Sequence, residues 1–335
     1  MQRRSFLRLS ALTFTSLLGH AGCKGGGEGD SGSADSGSST GGPSRQVIDA
    51  PERYPQSIAS GDPRADGVIV WARVDDPERP DDDYEVELEI WPTAGGGEGD
   101  TDGGTGGTGG TGGTETGGDG AGETAVVMVT AEARFDHCVK VRVEGLQPGT
   151  EYSYRFLYIK DEIGYASRTA RTKTAPDPAA DVSVRFAFAS CQDFGGRWYN
   201  AYVALLQQPQ LDFFVHLGDY VYETAGDSSF QGGTEERSVT FDDQDGAIAL
   251  MNGEGATYYA ARSLDNDRQL YRTFRSDPAL QAVHEQLAMV AIWDDHEFSD
   301  DCHGATATYT DGRTNEEDAA RRAAANQAWF EYMPV

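Results

Sequence analysis

The sequence predicts an α+β chain of two domains, an antiparallel β-sandwich followed by an α/β unit. Three observations lead there. Between Gly67 and Tyr158, apolar and polar residues alternate in the strand period and are interrupted by Gly, Pro and Asp turns, the pattern of a sandwich. Beyond about residue 181, short runs rich in Phe, Val and Ile alternate with helical patterns, as buried parallel strands do. A chain of 335 residues exceeds one compact core, and many of its 42 glycines fall in the tracts 25–42 and 95–122, which cannot offset their own chain entropy by burial.

In chain order, Gln2-Arg3-Arg4-Ser5-Phe6-Leu7-Arg8 and the moderately apolar Leu9–Leu18 resemble a twin-arginine export signal, too short to span a bilayer permanently. Ala21-Gly22-Cys23 resembles the end of a lipobox, which would make Cys23 a lipidated N-terminus; cleavage near Gly19-His20-Ala21 without lipidation is the alternative. Residues 1–23 are therefore expected to be an address, and 24–50 a flexible tether. Within an expected sandwich over 51–176, strands are predicted at Gly67–Arg73, Tyr84–Trp91, Ala125–Thr130, Cys138–Val143 and Thr150–Tyr158, with 95–123 as a low-complexity insertion. The turn Leu146-Gln-Pro-Gly-Thr150 before Tyr152-Ser-Tyr154 resembles fibronectin-like or immunoglobulin-like modules.

A linker over 174–181 precedes the unit expected at 181–335. Strands are predicted at Arg185–Cys191, Leu211–Asp219 and Leu287–His296. Trp198, Tyr202, Leu205 and Leu206 predict a helix over 196–208, so that the first two strands run parallel across a strand–helix–strand crossover. Residues 318–332, rich in Ala, Arg and Glu, predict a final helix.

The formal net charge of −28 argues against a nucleic-acid partner, which needs a basic footprint. An anionic substrate would likewise be repelled at long range unless bound cations reversed the local field. Each predicted strand of the second unit finishes on donors suited to a metal: Cys191, Asp219 and Asp294-Asp295-His296. Gly218 lets the backbone turn so that Asp219 projects into the crevice, and a row of ionisable groups there is costly unless a cation or substrate is bound. These residues suit metal-assisted phosphoester hydrolysis.

Ser57-Ile-Ala-Ser-Gly-Asp-Pro63, Phe188-Ala-Ser-Cys-Gln192, His216-Leu-Gly-Asp-Tyr-Val-Tyr-Glu223, Phe274-Arg-Ser-Asp-Pro278 and Trp293-Asp-Asp-His-Glu297 occur in an order that resembles PhoD-type alkaline phosphatases, within the calcineurin-like metallophosphoesterase superfamily. The resemblance runs from about Tyr54 to the last residue. It implies that Cys191, Asp219 and Tyr222 hold a ferric ion, with Asp219 bridging to calcium. Thiolate and phenolate suit trivalent iron, and carboxylate oxygens suit calcium. It implies further that Asp295 stands at a metal-ligand position, that His296 contacts the transferring phosphoryl group, and that Asp294 is a weaker candidate. Asp219 and Tyr222 could meet on one face of a helical turn.

Other readings of the same residues stay open. Cys191 could pair with Cys138 or Cys302 in a disulfide, Tyr222 could be an aromatic wall, and His216 could point to the other side of its strand. His137, His284 and His303 are not expected to be ligands. The resemblance also implies a partial metallophosphoesterase domain, because the family's Trp-Asp-Gly and Gly-Asp-x-His segments are not found before Val335.

The expected function is an exported phosphatase of phosphate monoesters, working in the periplasm or at the cell surface. It would be monomeric, touching the membrane only through a lipid anchor and relying on the twin-arginine machinery. A phosphodiesterase with the same metals, or an inactive surface protein acting through its sandwich, are the alternatives.

Overall fold

The structure, a computed structural model, describes residues 45–93, 124–208, 210–229, 231, 237–307 and 316–335. The signal, Cys23, most of the tether and the 95–123 insertion lie outside them.

Strands β1 (Gln46–Asp49), β2 (Ile58–Arg64), β3 (Gly67–Arg73), β4 (Tyr84–Pro92), β5 (Ala125–Ala131), β6 (Cys138–Glu144), β7 (Glu151–Lys160), β8 (Ile163–Ala166) and β9 (Ala170–Lys173) come first. Then follow β10 (Phe186–Ala189), α1 (Asn200–Leu206), β11 (Phe213–His216), β12 (Thr224–Ala225), β13 (Ile248–Met251) and β14 (Thr257–Ala260). The chain continues through α2 (Leu264–Phe274), α3 (Pro278–Gln286), β15 (Ala288–Ala291), β16 (Thr306–Ala307), β17 (Glu316–Glu317) and α4 (Ala319–Tyr332).

One sheet has the order β1-β8-β7-β4-β5, with β9 also on β7; the other has the order β10-β11-β15-β2-β3-β6. The second sheet crosses the boundary expected between the two domains. Its strands β10, β11 and β15 run parallel, as the strand–helix–strand reading requires. Strand β2 then joins β15 in parallel through Gly61 opposite Met289, and β3 and β6 continue antiparallel. Gly61 is required at that junction, because a Cβ would lie 2.7 Å from the Met289 carbonyl.

The two expected units thus share one sheet. Strands β2, β3 and β6 bury one face against β4 and β7, where Ile58, Val68, Val70, Ala72, Val141, Leu88 and Phe156 form one core. Their other face, with Trp71, meets the helices in a second core with Phe214, Tyr271, Phe274, Met289 and Tyr332. Strand β3 is buried at every position, so both of its faces serve a core.

Smaller differences have local causes. Gln46–Asp49, expected inside the tether, pairs in parallel with β8 as an edge strand, too short to give a periodic signal. The helix expected over 196–208 spans only Asn200–Leu206, with Gly196 at φ 67° and Trp198 outside it and exposed. The final helix is capped by Asp318, whose side chain accepts the Arg321 amide.

All four helices lie on the side of Phe214, His216 and Met289. The opposite face of β10, β11 and β15 is bare among the described residues, with Phe186 53 %, Phe188 68 % and Ile292 57 % exposed.

Candidate metal centre

The donors gather where β10, β11 and β15 end. Beyond β10 and β11 the chains stay in register, the Cys191 amide donating to the Gly218 carbonyl at 3.2 Å and the Gln192 amide to the Asp219 carbonyl at 3.1 Å. Cys191 and Asp219 both take left-handed backbone angles, φ 60° and 55°, which turn their side chains off the strand direction. The turn at Gly218 has φ 105°, and a Cβ there would sit 2.6 Å from Asp294, so glycine permits the close approach of the two strand ends.

The Cys191 thiol lies 3.3 Å from Oδ2 of Asp219, and the Tyr222 phenol is near enough to both to be influenced electrostatically by them. Asp219, Asp295 and His296 each offer a ligand atom, and these atoms all lie within 4.8 Å of one another. Cys191, Asp219, Tyr222, Asp295 and His296 are thus brought together. Asp294 is exposed and lies outside that group. Residues 219–222 form no helical turn; Asp219 and Tyr222 meet because the backbone is irregular there. Cys138, Cys191 and Cys302 are free thiols, so the disulfide alternative is not realised.

The electrostatics suit a cation. Asp219 is 7 % exposed, and its Oδ1 has no hydrogen-bond partner among the described residues. Burial raises its pKa, with Asp295 adding repulsion. Burial likewise raises the Tyr222 phenol, helped by Asp219 and Cys191. Burial alone would raise Asp295 as well, but the Asp301 amide and His296 outweigh it and hold the carboxyl below its ordinary value. Burial opposes the charge on His296, yet a 2.8 Å hydrogen bond to Glu223 prevails and pushes its pKa up to about 9. A buried carboxyl oxygen lacking a donor, beside a thiol, a phenol and a second carboxylate, fits a site for positive charge.

The sequence reading assigned no role to Glu223, Glu297, Asp300 or Asp301. Glu297 accepts the Tyr220 amide at 2.7 Å and the Asp294 amide at 2.8 Å, joining the ends of β11 and β15. Burial pushes its pKa up to about 7 against those two donors. Asp295, Asp300 and Asp301 form a second acidic group beside the first. Both glutamates close the motif blocks at 223 and 297, which was the available signal; their partners depend on a fold that spacing does not reveal.

Three other histidines pack inside the fold, away from the donors. His216 is fully buried against Phe214 and Tyr220, and burial lowers its pKa to about 4. His284 bonds the Tyr220 hydroxyl at 2.7 Å, and His137 stacks on Tyr84.

Fold and site together define an α/β protein with a candidate metal centre at the carboxyl ends of parallel strands. The family described as PhoD-like phosphatase matches residues 186–335, and its N-terminal domain matches residues 119–176. Alkaline phosphatase D of Bacillus subtilis (strain 168) is 32 % identical over 284 residues, covering 83 % of this chain. The solved structure of PhoD is similar with a TM-score of 0.63 and 27 % identity over 86 % of this chain. The chain belongs to the PhoD-like phosphatase family. It spans 40 % of the length of the curated relative and 47 % of the solved one.

Proposed function

We propose that this chain is a metal-dependent phosphoric ester hydrolase, with phosphate monoesters as substrates. The observation that carries the reading is the convergence of Cys191, Asp219, Tyr222, Asp295 and His296 at adjoining strand ends. Cys191 and Tyr222, as thiolate and phenolate, are the residues to hold a ferric ion, with Asp219 shared towards calcium and Asp295 beside it. When bound, such ions offset phosphate charge and lower the pKa of water.

The protein's own contribution follows from its side chains. Charged His296 donates to the phosphoryl group and offsets the negative charge that its oxygens carry and that the leaving oxygen gains as the ester bond breaks. Glu297 fixes the two strand ends, and with them the spacing of Asp219 from Asp295. The acidic surface makes this local reversal of charge necessary for any phosphate to approach.

Export belongs to the same proposal. Arg3-Arg4 suits the twin-arginine route, which carries folded proteins and so allows metal loading beforehand; Cys23 is the proposed lipid anchor at the periplasmic or cell surface.

The test is hydrolysis of nitrophenyl phosphate against its bis ester by the purified chain, with elemental analysis for iron and calcium. Faster monoester turnover, lost in Asp219→Ala, is expected. Faster diester turnover would move the reading to a phosphodiesterase. Absence of both metals, with no hydrolysis after supplementation, would overturn it.

A further inference from the structure

We propose that Glu223 is a positioning residue that holds the Nδ1–H of His296 and so aims Nε2 into the site, where the charged ring donates its second N–H; in the neutral ring the same contact fixes the one proton on Nδ1. The assignment deepens the phosphoester reading and rests on it for the use made of the ring; the hydrogen-bond geometry stands independently.

Glu223 is 1 % exposed, and each of its carboxylate oxygens has a partner among the described residues. Its Oε1 accepts the backbone amide of Asp300 at 2.7 Å, and its Oε2 lies 2.8 Å from Nδ1 of His296. A backbone N–H can only donate and a carboxylate can only accept, so Nδ1 must supply the proton of the second bond. The Tyr222 ring, 4.2 Å from the imidazole and inclined by 32°, packs against the same side chain. The Glu223 carbonyl accepts the Ala261 amide at 2.8 Å, so the glutamate's own backbone is also tied down. What is left is Nε2, whose nearest charged neighbour is Asp300 Oδ1 at 3.5 Å, a contact too long for a strong hydrogen bond.

This gives Glu223 the part that a carboxylate plays behind many working histidines: setting tautomer and orientation without touching substrate. The Asp300 amide makes the device stringent. In Glu223→Gln only one oxygen remains, and it stays on the Asp300 N–H, which has no alternative polarity. The amide NH2 then faces Nδ1, which must become an acceptor, and the proton moves to Nε2.

Long-range proton–nitrogen NMR of the full chain labelled with [15N]histidine reads this directly. It is recorded above about pH 10, beyond the raised pKa of His296, after chelation of any paramagnetic ion, with His296 assigned from His296→Gln. The native ring should carry its proton on Nδ1, Glu223→Gln should carry it on Nε2, and Glu223→Asp, still a pure acceptor, should restore Nδ1. With nitrophenyl phosphate and restored metals, Glu223→Gln should lower kcat about 10- to 100-fold with little change in KM.

An Nε2 proton in the native chain, or the same tautomer in native and Glu223→Gln, overturns the proposal. If Glu223→Gln fails to fold, the native ring and Glu223→Asp decide it. The NMR result needs no turnover, so it stands or falls separately from the phosphatase reading.

Discussion

Acidification should destabilise this protein through His216, and the size of the effect follows from where β11 places that ring. The side chain is fully buried between Phe214 and Tyr220, and both of its nitrogens lack partners among the described residues. Its pKa falls from 6.5 to about 4 because burial disfavours the imidazolium. Between those values the unfolded chain binds a proton that the folded chain does not, so stability rises with pH across the window. The contribution is present in full above the unfolded value and lost as pH falls towards the folded one. Linkage gives a loss of about 2 kcal/mol at pH 5 and about 3 kcal/mol at pH 4, relative to pH 8.

Glu297 works in the opposite sense, since its folded pKa of about 7 lies above 4.5 and its stabilisation is lost as pH rises through 7. A pH profile of the native chain alone therefore mixes the two. His216→Met keeps comparable volume, removes the titration and leaves Glu297 in place. Urea unfolding in chelator at pH 8, 6, 5 and 4 should show the gap between native and variant moving by about 2 kcal/mol at pH 5 in favour of the variant. A constant gap across that range would refute the claim that a buried neutral imidazole sits at this strand end.

Gly218→Ala should cost about 1–3 kcal/mol by thermal denaturation and weaken metal binding by calorimetry, because a Cβ at φ 105° would press on Asp294. Unchanged values in both assays would count against the close approach of β11 and β15. Glu297→Gln cannot accept both the Tyr220 and the Asp294 amides with its single oxygen, and should lose about 1.5–3 kcal/mol in urea unfolding. Phe214→Ala and Phe188→Ala remove the same ring from opposite faces of the sheet. The first should cost about 3–5 kcal/mol and the second under about 0.5 kcal/mol, with equal costs showing that the Phe188 face is covered.

Much of the site was legible in the residues themselves. A short apolar strand that ends in Cys, Gly-Asp or Asp-Asp-His announces donors at a sheet edge, since burying such groups otherwise has no compensation. Parallel pairing of β10 with β11 followed from one helix between two strands, and the last helix from its own composition. The supporting carboxylates were not legible. Glu223 meets His296 across 73 positions, and Glu297 meets the Tyr220 amide across 77. Their place at the end of a motif block is the one local signal, and it does not name their partners.

What the sequence determined by itself was which candidate donors end each strand, the period of each strand and the order of the elements, because these depend on neighbouring residues and local backbone preference. Only the tertiary structure decided that β2, β3 and β6 belong to the same sheet as β10, β11 and β15. A strand's pattern records that its faces are buried and is silent about what buries them; β3, covered on both sides, serves two cores at once. The same holds at the candidate metal centre, where a chain can specify a histidine, yet only packing chooses the glutamate that faces its Nδ1.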